Sequence, residues 1–226
     1  GVLLADSGPL VPMVAAVDNT VLVPPFFPVA RGSDVIWGEL ATTVLGDFIA
    51  HLPHAVQHAP VPQRRYVEEN YEYSIRIADV VQALVRDASH VITPETPRKH
   101  RIETAGAFLA SVSSDPRDFM DRLRTTAGRI LEGHLLAVRE SSARSDVAWD
   151  DAEHADRQRF TRSLEDGLRS LDESFLPREL QTLGVREGTE ALRVLVRQYG
   201  RLLQWWPTLR TAALDLITEE KAPDGR

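Results

Sequence analysis

Val67, Tyr71, Ser74, Ala78, Val81, Val85, Ala88 and Ile92 follow one another at alternating steps of four and three residues. That spacing gathers them on one stripe of an α-helix, interrupted only by Ser74. Glu68, Glu69, Glu72, Arg76, Asp79, Arg86 and Asp87 fall on the remaining sides. The pattern predicts one helix over residues 64–92, about 43 Å long at the usual rise per residue. An element of that length cannot cover its own stripe, so the rest of the chain must supply several packing partners.

The following segments offer them. Thr93-Pro94 reads as an N-cap followed by proline at the first helical position, and predicts a helix through Val112 striped by Ile102, Ala105, Leu109 and Val112. Asp115-Pro116 gives the same signal for a helix ending near Glu140, with Phe119, Leu123, Ala127, Ile130, His134 and Val138 inward. Residues 141–146 are polar and predict an exposed loop. A further helix is expected over 149–175, striped by Phe160, Leu164, Leu168, Leu171 and Phe175. Leu176-Pro177 stops it and Gly184 breaks the chain again. The last helix should run over 187–217 through Leu192, Leu195, Tyr199, Leu202 and Trp206, with Pro207 kinking it.

Residues 1–62 have a different composition. They hold 8 of the 14 prolines and only 6 of the 59 charged residues. Val2–Ala5 and Thr20–Val23 are short β-prone runs, and Pro24, Pro25 and Pro28 around Phe26 and Phe27 force an extended path. So apolar a segment needs a surface to lie on, either this chain's own helices or a neighbouring subunit. Ser33 or Asp34 can cap a helix to about Leu52, with Ile36, Leu40, Val44 and Phe48 inward. Pro60 and Pro62 then make a stiff joint. The organisation expected is an extended apolar arm over 1–33, a helical bundle over 34–217 and a charged, loose tail over 218–226. The fold class is mainly α, a multi-helix bundle with long helices preceded by a proline-rich arm.

Composition narrows the partners. A formal net charge of −7 disfavours non-specific nucleic-acid binding and anionic membrane surfaces. No cysteine means no disulfide, no thiolate metal site and no thiol nucleophile. No run of 18 apolar residues exists, and the start lacks the basic region of a signal peptide. Arginine outnumbers lysine 24 to 2, which suits interfaces better than the reverse would.

Candidate chemistry is sparse. His51, His54 and His58 have zinc-like spacing, but Pro53 interrupts any helix through them. Asp87/His90 and Asp151/His154 have the carboxylate–histidine spacing of di-metal bundles. Asp87 and His90 lie off the apolar stripe and should face solvent; Asp150, Asp151 and Glu153 suit the first turn of a helix. His134 lies within an apolar stripe, where a neutral, hydrogen-bonded histidine is the usual outcome. Phosphate-loop, dinucleotide, zincin and nucleophile-elbow motifs are missing. Trp205-Trp206 and Tyr66/Tyr71/Tyr73 are aromatic clusters at helical spacing, suited to core or interface anchoring.

Two resemblances attach to the start. Val2-Leu3-Leu4-Ala5-Asp6-Ser7-Gly8-Pro9-Leu10 is similar to the opening of PIN-domain ribonucleases over about 40 residues. The resemblance implies a divalent metal on Asp6, with Glu39 a possible second ligand; the later strands and aspartates of that family are not recognisable. Asp6-Ser7 with Asp151-Ala152-Glu153-His154 also resembles the first and last blocks of GDSL-type esterases. Ala5 stands where that family has glycine, and the middle block with its asparagine is missing.

The expected function is a non-enzymatic structural or interaction subunit of a larger assembly, a shell or multi-subunit complex, with the arm packing on a neighbour. Its protein partners, self or different, would meet Phe26, Phe27, Trp37, Trp205 and Trp206, and no cofactor is implied. The competing expectation is a metal-dependent nuclease built around Asp6. A third is a ligand-binding bundle with a pocket near His134 and Trp206.

Overall fold

In the computed structural model the described residues are 3–5, 20–29, 31–45, 49–51, 73–93, 95–144, 151–172 and 174–221. They form six α-helices and one short strand pair: β1 (Leu3–Ala5), α1 (Ser33–Leu45), β2 (Ile49–His51), α2 (Ile77–Ala88), α3 (Arg98–Val112), α4 (Pro116–Arg144), α5 (Asp151–Arg169) and α6 (Val185–Lys221). Short 3-10 segments at Ser89–Val91 and Arg178–Leu183 join some of them. The fold is mainly α, a helical bundle as the periodicities require.

The 64–92 stripe is a helix only over Ile77–Ala88, where Ala78, Val81, Val85 and Ala88 are all buried. Tyr73–Arg76 run extended instead, and residues 64–72, including Val67 and Tyr71, lie outside the described residues. The reason is tertiary. Arg178 N–H donates to Ile75 C=O (2.9 Å), pinning the segment as a single extended crossing. Ile77 N–H donates to Glu179 Oε2 (3.0 Å), and Arg76 N–H to Asp79 Oδ2 (2.8 Å). Two carboxylates thus satisfy amides that would otherwise be orphaned at a helix start.

Other boundaries moved as well. α1 stops at Leu45 rather than running to Leu52, because residues 49–51 pair with β1 in an antiparallel ladder. Leu3 faces His51, Leu4 faces Ala50 and Ala5 faces Ile49, which bears out the β-prone start. Phe48 lies outside the described residues. Thr20–Val23 form a turn and an irregular stretch, not a strand. α3 begins after Pro97, not at Thr93: a proline four residues into a helix has no N–H for the ladder and keeps Thr96 out of the helical region. Thr93–Thr96 close a turn, with Thr96 N–H donating to Thr93 C=O at 3.0 Å.

Asp115 caps α4 as expected, its Oδ1 accepting Arg117 N–H (2.8 Å) and Asp118 N–H (3.0 Å). The helix continues to Arg144, so 141–144 are helical rather than loop. α5 ends at Arg169, six residues before the expected stop, where Asp172 Oδ1 accepts Ser174 N–H (2.7 Å) and sets a turn. Gly184 breaks the chain at φ +76°, as its position predicted. α6 then runs 37 residues and extends past Ile217 to Lys221, so the first four residues of the expected tail are helical.

The core forms where α2 is enclosed by α1, α3 and α4 and where α3 packs along α6. α3 and α6 meet backbone to backbone at Gly106 and Gly200. A Cβ on Gly106 would lie 2.5 Å from Gly200 C=O, and one on Gly200 would lie 2.7 Å from the Ala110 amide nitrogen. α4 buries Phe119, Leu123, Ala127, Leu131 and Leu135. Steps of four turn the stripe by about 40° each, so Leu131 and Leu135 take the fully buried positions while Ile130 and Val138 stay half-buried against the core as expected. His134 is exposed, contrary to its expected place in the core.

Candidate functional site

Prolines dictate the arm's path. Pro24, Pro25 and Pro28 fix φ near −65° and hold Val23, Pro24 and Phe27 out of the helical region, so residues 22–27 run extended and lack amide donors at 24 and 25. The arm lies on this chain's own helices. Trp206 Nε1–H of α6 donates to Val23 C=O at 2.6 Å. Trp37 Nε1–H of α1 donates to Pro24 C=O at 2.8 Å. Tyr199 Oη–H of α6 donates to Pro25 C=O at 3.1 Å. Three consecutive carbonyls are each met by a different aromatic donor.

Side chains complete the seat. Phe27 is only 2% exposed and meets Tyr199 edge-on, with ring centres 5.0 Å apart. Burial pushes the Tyr199 phenol well above its ordinary value, so it stays a donor across the physiological range. Phe26 lies on the outside, 52% exposed, stacked flat on Trp37 at 5.1 Å. Of the five expected anchor residues, Phe26, Phe27, Trp37 and Trp206 therefore converge on one seat, while Trp205 stands apart.

Trp205 opens a second feature. It is 64% exposed, and Leu209 (48%) and Leu216 (66%) follow it on the same side of α6. With Ala212 they step four, three, four, the spacing of a coiled-coil seam. Ile217 flanks the stripe and Leu214 lies off it. Before Trp205, α6 presents Arg186, Glu187, Glu190, Arg193 and Arg197 outward or at the rim; between 205 and 217 it carries only Arg210 and Asp215. Burial ends along α6 where charge thins out, and charge returns only at Glu219, Glu220 and Lys221 at the end of the helix.

The catalytic expectations fare differently. Asp6, His54 and His58 lie outside the described residues, and His51 sits in β2. Glu39 accepts from Arg86 Nε (3.1 Å) and Nη2 (2.7 Å) and from Gln82 Nε2 (3.1 Å), which engages both its oxygens. Asp87 does not face solvent. Its side chain is 13% exposed and takes a two-point contact from Arg129 at 2.9 and 2.7 Å. His90 is exposed, and His154 meets Gln158 at 2.9 Å. Among the described residues no three histidine or acidic side chains cluster to hold a metal.

His134 Nε2 lies 3.0 Å from Tyr73 Oη, whose ring packs against it and against Phe160. Tyr73 Oη–H also donates to Asp79 Oδ2 at 3.4 Å. Burial first, then the Asp79 charge, lifts the Tyr73 phenol far above its usual value, so it stays protonated. His134 and Trp206 thus serve different neighbours; two open clefts among the described residues, of about 730 and 330 Å3, are lined by other side chains. Among the described residues no helix is long and apolar enough to cross a membrane.

The chain was compared with protein-family models, curated proteins and solved structures, and none matches. Geometry alone carries the functional reading.

Proposed function

We propose that the chain is a non-enzymatic interaction subunit that self-associates through the outer half of α6. The observation that carries this reading is the exposed Trp205–Leu209–Ala212–Leu216 seam. Large apolar side chains left in water forgo about 1.5–3 kcal/mol each of possible burial, and a solitary helix gains nothing from repeating them in register. A second copy is the partner that fits. Residues 205–217 hold one arginine and one aspartate, so two such faces meet without repulsion, although each chain carries −7.

The test is light scattering on the full chain and on a Leu209→Ser/Leu216→Ser variant. The parent should be dimeric or larger at tens of micromolar (about the concentration weak interfaces require) and the variant monomeric with unchanged helix content. A parent that stays monomeric overturns the reading.

A further inference from the structure

The larger cleft, of about 730 Å3, opens between the ends of α2 and α3 and the first turns of α4. None of its lining residues belongs to α6 or to the seat of the arm. Its volume is that of small-ligand sites, but its walls are not the usual apolar kind. Among the described residues only Val112 of its lining is apolar. Ser111, Ser114, Thr125 and Thr126 bring hydroxyls to it, and its remaining side chains are charged.

Thr126 is the lining residue that packing does not explain. It is 0% exposed, and its hydroxyl has no hydrogen-bond partner among the described residues. Thr43, Thr104, Thr125 and Thr161 also sit in helices, and each donates its hydroxyl to the carbonyl four residues earlier. Thr126 makes no such bond to Arg122 C=O. Nearly every buried hydroxyl in a folded protein is bonded, and one left alone is destabilising. A partner from outside the chain, entering by the cleft, would satisfy it.

The charged walls select that partner. Asp87 is already held at two points by Arg129, and Asp121 Oδ1 accepts from Arg124 Nη2 at 2.7 Å. Asp118 and Arg122 remain, and neither makes an ion pair among the described residues. Arg122 lies instead over the Phe108 ring, its Cζ 6.0 Å from the ring centre. An anion in the cleft would face Asp87, Asp118 and Asp121, a cation would face Arg122 and Arg129, and an apolar body would strand the hydroxyls. A carboxylate only accepts and a guanidinium only donates, whereas a hydroxyl does both. An uncharged ligand with several adjacent hydroxyls therefore meets every group that lines the cleft. We propose that the α2–α3–α4 cleft binds such a polyhydroxylated ligand, of the size of a mono- or disaccharide, with Thr126 at its floor and Asp118 and Arg122 at its rim.

The test is a titration of the full, isotopically labelled chain with maltose, D-glucose and myo-inositol, read from amide chemical shifts. Inorganic phosphate and glycine are the charged comparisons. The proposal expects saturable shifts within residues 111–129 from at least one polyol, with a Kd of about 1 mM or below, and none there from phosphate or glycine. Thr126→Val keeps the side chain's shape and removes its hydroxyl. It should weaken binding about tenfold and leave the Tm of the free protein equal or higher, because a buried group without a partner has gone. Asp118→Asn and Arg122→Met alter exposed side chains, so they keep the test open if Thr126→Val fails to fold; each should also weaken binding about tenfold. No saturable shift from any of the three polyols overturns the proposal, and so does binding indifferent to all three substitutions. A Tm lowered by Thr126→Val with polyol binding unchanged makes the hydroxyl merely structural and overturns its place in the site. Saturable shifts from phosphate or glycine alone assign the cleft to a charged ligand and overturn the proposal as well.

Discussion

Two carboxylates illustrate how single residues set this chain's pH response in opposite senses. Asp79 has its carboxyl raised above the ordinary value, chiefly by burial and also by Glu179, against the downward pull of the Arg76 amide and charge and of His134. The folded state thus favours its neutral form, and its contribution is present at acid pH and lost as pH rises through the raised value. Asp79→Asn keeps a cap acceptor and removes that loss. Urea midpoints should therefore move in the variant's favour, relative to the parent, between about pH 3 and about pH 7. Asp115 is the reverse case. The Asp118 and Arg117 amides hold it below the usual carboxylate range, so its contribution is present at neutral pH and lost as pH falls through the lowered value. Asp115→Ala should lower the melting temperature at neutral pH and lose that effect in acid. Gly200 is constrained sterically: Gly200→Ala drives a methyl into the α3 backbone and should cost about 3 kcal/mol in chemical denaturation, near the upper end for overpacking.

At the scale of elements, α6 divides in burial. Its first half supplies Leu192, Val196, Tyr199 and Leu203 to the core, whereas residues 211–218 are exposed. A chain ending after Trp206 should keep a cooperative thermal transition close to the parent's while losing self-association in light scattering. A transition lowered by more than about 10 °C, the shift that some 3 kcal/mol gives at this size, would show that the outer half belongs to the core. Local signals located the elements well where the cause was local. Asp115-Pro116 marked the start of α4, and Gly184 the break before α6, because cap and turn chemistry act within three residues. The start of α2 was not legible: Arg178 and Glu179 pin and cap it from about a hundred residues away, and no periodicity encodes such a partner. The shortened α1 has the same cause, since its sequel pairs with β1.

For the molecule as a whole, the mainly helical bundle and the apolar arm were legible from the 3.6-residue period and from proline placement. The arm's target was not, because proline fixes a path and not a destination. Phe26, Phe27, Trp37 and Trp206 could be singled out as anchors, yet only the fold shows that they share one seat with Tyr199, which periodicity had assigned to the core alone. His134 failed in the opposite direction: it is exposed, the fully buried positions of α4 having passed to Leu131 and Leu135. The central claim, association of like chains through a neutral apolar seam, is tested most directly by sedimentation equilibrium of the full chain over a range of concentration and salt. Each copy carries −7, so added salt screens repulsion between copies without weakening apolar contact. The account predicts a monomer–dimer equilibrium that tightens as salt rises and disappears in Leu209→Ser/Leu216→Ser. A single monomeric species at every concentration and salt, or a dimer indifferent to those two substitutions, would contradict it.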